Sequence, residues 1–253
     1  MRRSRLAVFV TAAVISIVAA GCGASSDSCG SCSDIVAQIP WSAPESHTYT
    51  LKIDGKERGR TTLTIAKDSH AYALTQRSED DAGNSDESTV RADSATLKPI
   101  ANTHVVIDKS QKRVANAVYE DVDKDCDSKR VVKITQDVFE PPDETTPDNT
   151  RRSPLCVPEH AYDNDSSLFL WRTVKFEKGY KATYYAVLPG RRDTQIISLE
   201  VHDIVDKTPL GDGKAWEVRL FADQINQRAW FSTEPDHKLL AYQNDNYLFL
   251  LNE

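Results

Sequence analysis

The sequence predicts a mainly β protein of about ten strands with one buried helix. Three observations carry this. From Ser46 onward apolar residues recur at every second position, the pattern of half-buried strands. Asp, Asn and Gly pairs punctuate these runs at turn spacing. One segment, beginning at Asp163, replaces the alternation with a dense apolar run behind a cluster of helix-capping residues. The 253 residues are 40% hydrophobic and 27% charged, which suits a folded chain long enough to bury a sizeable core.

The elements follow in order. Tyr49, Leu51 and Ile53 alternate with Thr48, Thr50 and Lys52. Asp54-Gly55 opens a turn, Gly59 closes it, and Leu63 and Ile65 continue, so residues 47–66 read as a hairpin with a longish loop. Tyr72 and Leu74 mark a third strand, and residues 79–84 an acidic loop. Further strands are expected at 103–107, 113–119, 131–138, 181–188, 195–205, 215–221, 229–232 and 238–251, the last broken near Asn244-Asp245-Asn246. Residues 163–167 offer several N-cap side chains. Leu168, Phe169, Leu170, Trp171 and Val174 follow, and Gly179 marks a stop. A helix of about ten residues results, apolar on most of its circumference and therefore buried. The insert at 139–158 is rich in proline and charge and is expected to be the least ordered part.

The N-terminus reads as an address. Arg2, Arg3 and Arg5 precede an uncharged run from Leu6 to Ala20. That run is shorter than the roughly 20 residues a spanning helix needs. Small residues then lead to Cys22, the layout of a secretory signal over residues 1–21. It resembles a bacterial lipobox, whose cysteine becomes the acylated, palmitate-bearing first residue of the mature chain. Ala19 stands where that pattern prefers Leu, Val or Ile. Removing residues 1–21 takes away three arginines and no acid, moving the net charge from −7 to −10. Residues 22–46 then read as a lipidated N-terminus and flexible tether, with an apolar piece at 35–41 able to touch the domain, and residues 47–253 as a single β-rich domain. The acidic balance argues against nucleic acid as a partner. The membrane partner is reached through the lipid anchor. An outer-membrane home is favoured if the cell has two membranes.

Setting Cys22 aside, Cys29, Cys32, Cys126 and Cys156 remain, an even number in an exported chain. Of three possible pairings we favour Cys126 with Cys156, whose loop of about 31 residues is worth roughly 3–4 kcal/mol. Cys29 and Cys32 have the spacing of thiol oxidoreductases. The flanking Asp27 and Asp34, however, oppose the lowered thiol pKa such chemistry needs. A small-loop disulfide is the plainer reading. No metal and no cofactor is expected. The acidic run Glu120, Asp121, Asp123, Asp125, Asp127 fails the calcium-loop spacing, with Ser128 and Ile134 at the sixth and twelfth positions. None of the six histidines, His47, His70, His104, His160, His202 and His237, sits at metal spacing, and structural or surface roles are the default. Hydrolase elbows and phosphate loops do not occur in the sequence, and no catalytic residue is assigned.

Four short motifs occur in series: Leu97-Lys98-Pro99; Ser167-Leu168-Phe169-Leu170-Trp171-Arg172; Trp216-Glu217-Val218; and Trp230-Phe231-Ser232 before Pro235. The series resembles a bacterial family built on a domain of unknown function, over residues 48–243, whose members are secreted or lipid-anchored envelope proteins. The resemblance implies a curved antiparallel sheet or open β-barrel wrapped on the helix. That outline is similar to periplasmic lipoprotein carriers, whose concave face holds acyl chains. Phe169, Trp171, Trp216 and Trp230 are then candidates to line a ligand cleft. The expected function is a non-enzymatic envelope lipoprotein that binds an apolar ligand or an envelope protein. The alternatives are an assembly factor with no cavity and, further off, a thiol-redox or hydrolytic enzyme.

Overall fold

The computed structural model describes residue 29 and residues 32–123, 126, 129–222 and 225–252. The signal segment and Cys22 lie outside these residues, as do Asp125 and Asp127 of the acidic run.

The chain runs up and down through β1 (Glu45–Ile53), β2 (Lys56–Lys67), β3 (Ala71–Asp80), β4 (Ser85–Asp93), β5 (Pro99–Ile107), β6 (Lys112–Asp123), β7 (Lys129–Phe139) and β8 (Asn149–Val157). A three-residue strand, β9 (Ala161–Asp163), leads into the helical segment. The chain then resumes as β10 (Lys181–Leu188), β11 (Asp193–Thr208), β12 (Gly211–Ala222), β13 (Ile225–Ser232), β14 (Leu239–Asn244) and β15 (Tyr247–Leu251). All fifteen belong to one sheet, ordered β8 to β1, then β15 down to β9. Every neighbouring pair is antiparallel except β9 with β10. The last strand therefore pairs with the first, and β8 and β9, joined by three residues, form the two edges. One apolar cluster joins Tyr119, Ile134 and Val157 near the first edge to Ala161 and Val187 at the second. The sheet thus rolls into a barrel that is nearly closed.

The count is fifteen strands where about ten were expected. One strand was missed because β4 aims Asp86 and Ser88 inward beside Val90 and Ala92. A polar inward face erases the apolar alternation. Another lay in the segment 139–158, expected to be the least ordered, which instead ends β7, turns, and forms β8. Pro154 is accommodated there because an edge strand needs fewer ladder donors. The loop of the first hairpin is also tighter than expected. Asp54 and Gly55, at φ 52° and 73°, make a two-residue turn of the type that demands positive φ at both positions. Gly59 lies within β2, at a register shift near Leu51, where an added Cβ would sit 2.0 Å from the Glu79 carbonyl oxygen.

The barrel interior is filled by residues 164–173, ten helical residues as expected but in three pieces. A 3-10 turn, Asn164–Ser166, precedes α1 (Ser167–Leu170), and a second 3-10 turn, Trp171–Thr173, follows. Asp163 caps the first by accepting from the Asp165 amide at 2.9 Å. Phe169 is 1% exposed and Trp171 fully buried, its indole donating to the Tyr184 hydroxyl at 2.8 Å. Arg172 is buried as well, donating to Glu45 Oε1 at 2.5 Å and to the carbonyls of Asp236 and His237. No described helix is long and apolar enough to cross a membrane.

Within the segment 22–46, the stretch from Asp34 to Trp41 packs on the domain. Ile35 and Trp41 are buried in the main core, and the Ala37 and Gln38 amides donate to the Thr173 carbonyl. Asp34 meets Lys98 and accepts from the Tyr162 hydroxyl at 3.2 Å. Cys29 is bonded to Cys32, and Cys126 to Cys156, which ties the β6–β7 turn to the edge strand β8.

Truncating a large side chain inside this filled interior leaves a cavity that strand backbones cannot collapse into. Phe169→Ala and Trp171→Ala are each expected to cost about 3–5 kcal/mol in urea unfolding. Costs in the surface range, below about 1 kcal/mol, would show the segment to be a loose lid rather than the core.

Candidate ligand-binding site

Across β2 to β8 the inward residues stack in rungs whose polarity changes along the barrel. One rung runs Ile65, Leu74, Val90, Asn102, Ala117, Ile134. The next, two residues along each strand, runs Leu63, Gln76, Ser88, His104, Ala115, Gln136, Arg151. The third runs Thr61, Ser78, Asp86, Val106, Arg113, Val138, Asn149. Apolar packing against α1 thus gives way to hydrogen-bonding side chains, and then to arginines at the mouth.

The chain enters the barrel at this polar level, and Asp163 and Asp165 anchor it. The Tyr119 hydroxyl donates to Asp163 Oδ2 at 2.5 Å. The Asn102 amide donates to Asp163 Oδ1 at 3.0 Å and to Asp165 Oδ2 at 2.9 Å. His104 lies between two carboxylates, with Nε2 2.8 Å from Asp86 Oδ1 and Nδ1 3.1 Å from Asp165 Oδ2. Burial opposes the charge on this imidazole, but Asp165 and Asp86 outweigh it and hold the pKa well above the usual histidine range. His104 is therefore a cation at neutral pH. Burial also opposes ionisation of Asp165, and His104 reverses that, keeping its pKa low. Among the described residues Asp163 has no cation of its own. Burial, reinforced by the Asp165 charge, pushes its pKa up to about 7. Burial and Asp163 together raise the Tyr119 phenol well above its ordinary value.

Above this network opens a cavity of about 390 Å³, within the range of small-molecule sites. Its floor is His104, Ala115, Asn164 and Asp165. Its walls include Val106, Val138, Leu188 and Pro189, with Gln136 and Asn149, and its rim carries Arg113, Arg151 and Arg191. The Gln136 amide donates to the carbonyls of Pro189 and Gly190 at 3.1 and 2.8 Å, pinning the β10–β11 turn across the gap between the sheet edges. Among the described residues no three His, Cys, Asp or Glu side chains converge as a metal set.

None of the four aromatic candidates lines this cavity. Phe169 and Trp171 belong to the packed core, and Trp216 packs against it beside Phe176. Trp230 lies in a separate cluster with Ala215 and Ala241, apart from the main core that holds its neighbour Phe231. The sequence reading missed the site because its residues share no spacing motif. They meet only through strand register, and the one available signal was the alternation Asn102, His104, Val106 on β5.

The raised pKa of Asp163 sets a pH dependence. Its folded state holds a proton that the unfolded chain releases near pH 3.8. Its contribution to stability is thus complete below that pH and is lost as pH rises towards about 7. Asp163→Asn removes this titration while keeping an acceptor for Asn102. Urea midpoints across this window should shift in favour of the variant, relative to the parent, as pH rises. A difference independent of pH would show that Asp163 is ionised throughout.

Comparison with known proteins adds the following. No curated protein matches the chain. A solved structure, a beta-barrel-like protein of domain of unknown function DUF1849 from Brucella abortus, is similar over 86% of this chain and 98% of its own, with 11% identity and a TM-score of 0.48. The family model for "Protein of unknown function (DUF3108)" matches residues 48–243, from β1 through β14, so the chain belongs to the DUF3108 family.

Proposed function

We propose that this protein is a non-enzymatic, lipid-anchored component of the cell envelope whose barrel mouth holds a small ligand. The observation that carries the reading is the cavity of about 390 Å³ over the buried His104 network. The helical segment fills the interior below this level, and the cavity opens above it. The lining offers no serine, cysteine, threonine or lysine as a nucleophile, and both His104 nitrogens are committed to carboxylates. This favours binding over covalent catalysis. This reading puts the guest at the mouth rather than beneath the helix, and takes in place of the expected apolar ligand one that tolerates a polar floor. Export and anchoring rest on the basic, apolar and small-residue order that ends at Cys22.

Calorimetric titration with decanol and with decanoate tests the cavity. Saturable binding of either is expected, and Ala115→Trp or Val106→Trp, which fill the space, should reduce it at least about tenfold, the loss of some 1.4 kcal/mol. Absence of binding by both, or binding indifferent to both substitutions, would leave the assembly-factor reading. For the anchor, Cys22→Ala should move the protein from the membrane to the soluble envelope fraction. Continued sedimentation with membranes after a salt wash would contradict lipidation.

A further inference from the structure

We propose that the cavity takes an amphiphile with an anionic head, a carboxylate or a phosphate. The head is held by Arg113, Arg151 and Arg191, and the apolar part lies against Val106, Val138 and Leu188. The proposal rests on the ligand-binding reading above and supplies its ligand class.

The first argument is charge bookkeeping. Arg58, Arg60, Arg77, Arg91, Arg172 and Arg219 each meet a carboxylate. Arg113, Arg151 and Arg191 form no ion pair with a described residue, nor do Arg130, Arg152, Arg192 and Arg228; what sets the first three apart is that they share one cavity rim. Arg113 acts on Asp108 electrostatically, but without an ion pair. The carboxylates that share the lining are engaged: Asp165 faces His104, and Asp137 accepts from the Thr150 hydroxyl at 2.6 Å.

Convergence is the second argument. The three arginines come from β6, β8 and the β10–β11 turn, distant in sequence and brought to one rim. Arg113 and Arg151 occupy the inward register of adjacent rungs, Arg113 opposite Val138 and Arg151 opposite Gln136. Gln136 in turn holds the turn that carries Arg191. Unpaired guanidinium forks around one opening match the planar oxygens of a carboxylate or phosphate. The aliphatic wall below them has no use for a free inorganic anion.

Calorimetry with decanoate, decyl phosphate, decanol, decyltrimethylammonium and inorganic phosphate tests this. Decanoate or decyl phosphate should bind at least about tenfold tighter than decanol, the scale of one charge-assisted hydrogen bond. Decyltrimethylammonium should bind more weakly still. Arg113→Gln, Arg151→Gln and Arg191→Gln, all at exposed positions, should each weaken the anionic ligands several-fold and leave decanol unchanged. Equal affinity for decanol and the anionic amphiphiles would overturn the proposal while leaving the cavity reading intact. Inorganic phosphate binding as tightly as decyl phosphate would overturn it in favour of a small-anion site. Failure of every ligand would remove both readings.

Discussion

A barrel of fifteen strands is wider than its own inward side chains can fill, and the rest of the structure depends on how that space is occupied. Eight strands already leave an interior just filled by side chains or room for one small ligand. Here residues 164–173 are drawn inside, and all ten are buried. Burying backbone requires that its polar groups be satisfied without water. The irregular 3-10, α, 3-10 succession meets that need together with bonds at its ends: the Ser166 hydroxyl donates to the Asp163 carbonyl, the Thr173 hydroxyl to that of Leu170, and the Thr173 carbonyl accepts from the Ala37 and Gln38 amides. Arg172 closes the other end by reaching Glu45 and two carbonyls of the β13–β14 turn. The pairing of β1 with β15 joins the two halves of the sheet, so that the wall around this plug is interrupted only between β8 and β9.

The plug also explains why the two halves of the interior differ. Where α1 presents Leu168, Phe169 and Leu170, the facing rungs carry Leu, Ile and Val. Where the segment enters, its backbone turns and its side chains are Asp, Asn and Asp, so the facing rungs must offer donors. Asn102, Tyr119 and His104 do so from two adjacent strands. The polar level is thus a consequence of threading the chain into the barrel at that height. The cavity lies on the outer side of the same level, beyond the last buried donor.

Much of the fold was legible because strand formation leaves a local trace. Tyr49, Leu51 and Ile53 announce β1, and the interruption at Asn244-Asp245-Asn246 separates β14 from β15 as read. The helix was legible for the opposite reason: five large apolar residues within seven positions cannot share one face of a helix. Ser85–Asp93 was illegible because its inward side chains serve a polar interior. The reading assumed that inward means apolar, and Asp86 breaks that rule. Trp230 shows the complementary error. An aromatic on a strand was assigned to the concave side, yet Ala229 and Phe231 belong to the main core and Trp230, between them, faces the other way into a separate cluster. Both faces of β13 are apolar here, so alternation gives two opposite faces without saying which of them is concave.

His104 marks the limit of sequence reading most clearly. By spacing it is one of six unremarkable histidines. In the fold it is a buried cation between Asp86, one strand away, and Asp165, on a segment some sixty residues later. Removing one partner of such a buried charge pair leaves the other uncompensated, which costs more than the pair itself contributes. The arrangement therefore specifies geometry. Asp165 must stay where His104 and Asn102 hold it, Asn102 then fixes Asp163, and Tyr119 fixes Asp163 from the other side. A chain threaded through a barrel could slide along its axis if held by apolar contacts alone, because those are non-directional. Directional bonds from two strands to two consecutive anchor points remove that freedom, and so set the depth of the cavity floor formed by Asn164 and Asp165.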